Sequence, residues 1–190
     1  MARPKSLEKR SAILAAAIEL IAEQGLSAPT SKIAQAADVA EGTLFTYFET
    51  KERLLNDLYL ALKRGEREEM MHDYPFQASL EERARHFWNT SVAFGVNHPD
   101  KYKVVILLNV SDHISEQTKR LGREGYEALE AMLQECLASG ALGDQPSEFG
   151  LALLTSLMNM TTTFILHHPA EAERFRDAGF TAFWHAVTKT

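Results

Sequence analysis

Apolar side chains recur along this 190-residue chain at spacings of three and four, the pattern of helices that bury one stripe, and no alternating run persists long enough for a strand. The chain therefore reads as all-α, with about nine helices expected. From Leu7 to Gln24 the stripe is Ile13, Ala17, Leu20 and Ile21, and Gly25 is placed to end the helix with Leu26 folding back on it. Two short patterns follow. In the first, Ile33, Ala34 and Ala37 lie behind Thr30, whose hydroxyl is positioned to cap. In the second, from Gly42 to Phe48, Leu44, Phe45 and Phe48 are expected inward, while Glu41, Thr43, Thr46 and Tyr47 fall largely on other faces. Asp38 sits at the turn between them, where aspartate tolerates left-handed backbone, and Val39 plugs it.

Thr50 then caps a helix lined by Leu54, Leu55, Leu58, Tyr59 and Leu62, before the charged run from Lys63 to Glu69. Ser79 and Glu82 form a capping box for a helix carrying Phe87, Trp88, Ser91, Phe94 and Gly95, which stops near His98 and Pro99. A helix is expected from Asp100 to Asn109. A long amphipathic one is expected from Ile114 to Ser139, with Leu121, Tyr126, Leu129, Met132, Leu133 and Leu137 inward. Gly140 to Pro146 reads as a turn, and two last helices run from Ser147 to His167 and from Ala170 to Lys189. The former is apolar nearly all round, as befits a helix covered on two sides. In the latter, Phe175, Phe180, Phe183, Trp184 and Val187 cluster at a chain end, which suggests burial in an interface.

The two short helices and their turn read as a helix-turn-helix, whose second helix enters the DNA major groove. The run EGTLFTYFETKERLL, with the helix before it, resembles the signature of TetR-family transcriptional regulators over Lys9 to Leu62. That resemblance implies that Thr30, Thr43, Tyr47 and Lys51 contact operator phosphates or base edges and that the Gly42 backbone approaches DNA closely. Ser31 and Thr46 join this set, and Glu41 either accepts from a cytosine amino group or points to solvent. Asp38 stands where the family often has Gly, Ala40 where it often has a Ser cap, and Glu41 where many members are neutral or basic. The resemblance also implies a homodimer joined through the last two helices and a small-molecule effector pocket in the second domain, without assigning positions to that pocket.

Length and composition fit this plan: residues 1–50 as the reader and 51–190 as a helical effector-binding and dimerisation domain. The net charge of −6 is unevenly spread. Residues 1–64 carry nine Lys/Arg against eight Asp/Glu, and the remainder eleven against eighteen, so the acidity lies outside the reader. Arg3, Lys5, Lys9 and Arg10 make a basic arm able to reach phosphates or a minor groove. The single cysteine, Cys136, lies in an apolar pattern as a small core residue and suits a reducing compartment. The most apolar stretch, Phe149 to Leu166, contains Thr155, Ser156, Asn159 and Thr161 to Thr163, and reads as a buried helix rather than a membrane span. No secretory signal is recognisable, so a cytoplasmic location is expected.

Phe87, Trp88, Phe94, Tyr102, Asn109, Tyr126, Met158, Asn159, Thr162 and Phe164 offer the mixture of aromatic, thioether and isolated polar groups that lines pockets between helices. The same residues serve equally as plain core. The seven histidines stand in no recognised ligand spacing, and no metal site or cofactor is expected. No nucleophile elbow, phosphate-binding glycine loop, dinucleotide fingerprint or HExxH appears, which argues against an enzyme. The expected function is a ligand-responsive repressor that binds a palindromic double-stranded operator as a homodimer, with no membrane partner. A DNA-binding regulator without a small-molecule effector, and an all-α ligand-binding protein or enzyme, remain the alternatives.

Overall fold

The computed structural model describes residues 6–139, 142 and 145–188. Lys5 and Arg3 of the basic arm, most of the turn between residues 140 and 146, and Lys189 lie outside the described residues. Among those described there are ten α-helices, one 3-10 turn and no strand. The helices are α1 Leu7–Gln24, α2 Thr30–Ala36, α3 Glu41–Tyr47, α4 Lys51–Met71, α5 Leu80–Asn97, α6 Pro99–Asn109, α7 Glu116–Arg123, α8 Glu127–Ser139, α9 Ser147–His167 and α10 Ala172–Val187. The all-α expectation holds.

Local chemistry sets most of the boundaries. Ser6 accepts from the Lys9 amide at the start of α1, and Gly25, at φ 77°, closes it with its N–H on the Ile21 carbonyl. Thr50 accepts from the Arg53 amide ahead of α4. The Ser79–Glu82 capping box opens α5 with both reciprocal bonds present. Two elements differ from the sequence pattern. The charged run Lys63–Glu69 lies inside α4, because Leu62, Glu66 and Met70 continue its buried stripe and the Glu66 carboxylate accepts from the Tyr126 hydroxyl at 3.0 Å. The helix expected from Ile114 to Ser139 is broken into α7 and α8 at Gly125, whose φ of 84° no ordinary helix contains. Its N–H donates to the Glu127 carboxylate at 3.0 Å, starting α8 afresh, and Leu121 is exposed rather than inward.

The chain divides into two compact units. One runs up to Gly65 and includes Pro99–Arg123; the other is Glu66–His98 with the chain from Glu124 onward. The first unit has its own core, built from Ile13, Ala17, Ile21, Ile33, Leu44, Phe48, Leu54 and Leu58 and completed by Val104, Val105 and Leu108 of α6 and by Ile114. In the second, Phe87, Trp88 and Val92 of α5 meet Met132, Leu133 and Cys136 of α8, Leu154, Met158 and Ile165 of α9, and Phe180, Phe183 and Val187 of α10. Burial pushes the Cys136 thiol up to about 11, as a core side chain requires.

Of the apolar side chains clustered on α10, Phe175 and Trp184 are half-buried and the other three are inward. Phe180, Phe183 and Val187 are buried in their own unit, Trp88 stacks on Phe183, and Arg85 lies 3.9 Å above the Phe180 ring. Helix α9 is long and apolar enough to cross a membrane by length and composition, with 33% of that stretch buried. It packs against α5, α8 and α10 as the central helix of its unit, while Phe149, Met160, Phe164 and Leu166 stay exposed on it.

Candidate nucleic-acid interface

The geometry of the reader follows from two anchors. Leu44 on α3 and Phe48, the extended residue that ends it, are both fully buried, and they fix which side of this seven-residue helix faces out. Glu41, Gly42, Phe45 and Thr46 are exposed, at spacings that place them on one face, with Thr43 and Tyr47 half-buried at its flanks. Phe45 therefore corrects the expectation of a core residue: the pattern of threes and fours admits either neighbour, and Leu44 takes the inward place. Asp38 adopts φ 52° in the turn, and Val39 packs beneath it with its N–H on the Ala34 carbonyl at 3.0 Å.

Several nominated side chains are already engaged. Thr30 is the first residue of α2, behind Pro29, and makes no cap: its hydroxyl donates instead across the turn to Glu41 Oε1 at 2.7 Å. The Thr46 hydroxyl donates to the Gly42 carbonyl at 2.9 Å within its own helix, which leaves its methyl and oxygen lone pairs for any partner. Tyr47 accepts from the Ser6 amide at 2.8 Å, so the chain enters α1 beside the end of α3. Lys51 donates to the Ala28 carbonyl at 2.7 Å, and partial burial lowers its pKa. Ser31 is exposed on α2, in its first turn after Thr30. Around this frame Asp57 holds both Arg10 and Arg53, at 2.8 and 3.0 Å, tying α1 to α4.

Gly42 has helical backbone and open space where a Cβ would stand, so the fold does not require glycine there. A close approach of another molecule's backbone would. Lys32, exposed on α2 with its ammonium on the Gln24 carboxamide oxygen, and Phe45 are two surface groups that sequence reasoning passed over. Lys32 lies outside the quoted signature, and Phe45 was assigned inward. Ser6 and Ala28 meet Tyr47 and Lys51 through backbone atoms, contacts that residue type does not signal.

The candidates for ligand lining divide between the units. Tyr102, half-buried, and Asn109, exposed, belong to the unit containing the reader; Phe87, Trp88, Phe94, Tyr126, Met158 and Thr162 belong to the other, where all six are buried. Trp88 donates its ring N–H to the Arg176 carbonyl at 3.0 Å, and Tyr126 its hydroxyl to Glu66, as satisfied core groups do. Thr162, 1% exposed, has a hydroxyl without a hydrogen-bond partner among the described residues.

Residues 13–58 match the family described as bacterial regulatory proteins, tetR family. A fatty acid metabolism regulator protein of Bacillus subtilis strain 168 is 38% identical over 82 residues, 43% of this chain and 40% of that protein. The chain thus spans well under half the length of that relative. The crystal structure of a tetR family transcription regulator from Shewanella sp. PV-4 superposes with a TM-score of 0.82 at 27% identity, covering 93% of this chain and 96% of that one. Bacillus subtilis FadR in complex with stearoyl-CoA shares the fold, with a TM-score of 0.69 at 19% identity over 93% of this chain and 98% of that one.

Proposed function

The chain belongs to the TetR family of bacterial regulatory proteins, and we propose that it is a ligand-responsive transcriptional repressor acting on a palindromic operator as a homodimer. The observation that carries this reading is the outward face of α3, with Glu41, Gly42, Phe45 and Thr46 exposed over a helix rooted by Leu44 and Phe48. It is the shape a major-groove reader needs, a short helix fixed on one side and chemically varied on the other. Residues 1–50 are the reading part, with Ser31, Thr43, Tyr47, Lys51 and the arm residue Lys5 as phosphate contacts alongside the face. Residues 51–190 control and pair it.

Pairing is assigned to the side of α9 that exposes Phe149, Met160 and Phe164, with α10 packed beside it. Large apolar side chains exposed on one helix face are better covered by a second copy than by water, and two-fold readers need the second copy to span successive major grooves. The effector enters the second unit, where the Thr162 hydroxyl, like Tyr74 Oη, Arg83 Nε and Arg176 Nε, is buried without a hydrogen-bond partner among the described residues, on the helix that carries Met158. Helix α4 begins at Lys51 beside the reader and runs unbroken to Met71, so an effector that favours one setting of its axis changes the separation of the two readers. No catalytic role is assigned, and the site of action is the cytoplasm, where the DNA is.

Selection from random duplex DNA at physiological salt, followed by titration of the enriched sequences, tests the reading. A two-fold symmetric motif bound by two chains supports it, and recovery of nothing above background ends it. With that duplex in hand, a thermal-shift screen that begins with long-chain acyl-CoA identifies the effector as the compound that both stabilises the protein and releases the DNA.

A further inference from the structure

The Thr30–Glu41 bond poses a choice between a contact within the reader and a contact with DNA. A threonine hydroxyl has one hydrogen to give. While it is held by Glu41 Oε1 at 2.7 Å, Thr30 has none for a phosphate. The carboxylate retains lone pairs on Oε2, at the first residue of α3 and on the exposed face. A negative charge there is repelled by every phosphate, so it weakens binding unless it meets a base donor. In the major groove the donors are the cytosine and adenine amino groups, and adenine places its N7 acceptor next to the amine, against the carboxylate's second oxygen. Cytosine has only its C5 hydrogen beside the amino group on its own ring, so an acceptor lies on one side of that donor, where adenine in its pair has one on both.

We propose that Glu41 selects a cytosine in each half-site and that Thr30 is its positioning residue, the bond between them persisting in the complex. This rests on the DNA-reading role of α3 and adds which side chain sets one base and which holds it. A glutamate alone loses the freedom of three torsions when it docks, and a carboxylate already held across the turn loses less. The pair spans the first residue of α2 and the first residue of α3, so it also fixes the aim of the carboxylate relative to both helices.

The experiment compares selected motifs, and titrations of duplexes differing at one symmetric base pair, for the wild type, Glu41→Gln, Thr30→Val and Thr30→Ser. Glutamine carries a donor and an acceptor that match adenine, so Glu41→Gln is expected to move one position per half-site from C to A, by roughly tenfold in relative affinity. Thr30→Val should flatten the preference at that same position while the dependence on salt stays as in the wild type, and Thr30→Ser should restore it. A wild-type motif that Glu41→Gln leaves unchanged at every position overturns this inference and leaves the regulator reading standing. So does a Thr30→Val protein that binds all sequences more weakly, with a salt slope lower by about one per chain, since that identifies a lost phosphate contact. No motif from the wild type overturns both.

Discussion

At Lys51 the ammonium is bonded to the Ala28 carbonyl at 2.7 Å, where it ties the start of α4 to the loop between α1 and α2, and two of its three hydrogens remain for a phosphate. Lys51→Met should therefore show two separate losses. Urea denaturation is expected to report a stability lower by about 1 kcal/mol from the broken tether, and DNA titration a salt slope reduced by about one per chain. A stability change with an unaltered slope would leave Lys51 a structural residue only. What could be read from the sequence at this scale was residue type and register. Thr30, Thr46 and Lys51 were found on the reader, but their present partners were not, because Glu41 Oε1, the Gly42 carbonyl and the Ala28 carbonyl are fixed by backbone geometry that spacing does not encode. Phe45 was misplaced for a related reason: in a helix of seven residues the phase of the stripe is set by which of two adjacent apolar side chains finds the core.

At the scale of elements, the glycines separate structural demand from functional demand. Gly125 has φ 84°, and a Cβ there would lie 2.8 Å from Arg67 Cδ, in the joint where Arg67 also donates to the Glu124 carbonyl. Gly179 on α10 lets Thr161 and Trp88 approach, since a Cβ would stand 2.3 Å from Thr161 Oγ1 and 2.6 Å from Trp88 Cζ2. Gly125→Ala is expected to destabilise by about 1–2 kcal/mol through its backbone, and Gly179→Ala by about 1–3 kcal/mol through overpacking. Gly42→Ala should instead stabilise by up to about 1 kcal/mol, because the site is helical and open, while it weakens DNA binding. Denaturation curves for the three, with a DNA titration for the last, check both signs. A Gly42→Ala protein that binds as the wild type would remove the close backbone approach. The long helices were legible because stripe and caps agree, as at Gly25, Ser79 and Glu82. The α7–α8 break was not, since glycine inside an amphipathic run is compatible with both a bend and a stop until its φ is known.

For the whole molecule, acid is the condition that acts on many places together. Ser79 holds the Glu82 carboxyl below its ordinary 4.5, Lys119 does so for Glu116, backbone amides including that of Gly125 for Glu127, and Arg83 for Glu135. Each folded value is depressed, so each contribution is complete above the ordinary value and is lost as pH falls through the folded one. The melting temperature is expected to fall below about pH 4.5, and a protein with Gln at all four positions to fall less steeply; parallel curves would locate the acid sensitivity elsewhere. The division into two cores has a further effect on inheritance. The core under the reader is closed by Val104, Val105 and Leu108 from α6, far along the chain from the helices they cover. A gene crossover placed after the reader would deliver it to a new sensor with that core open, so a viable hybrid has to carry α6 along. Whatever else changes in the sensors of such a lineage, the strip that the reader borrows from them has to stay apolar.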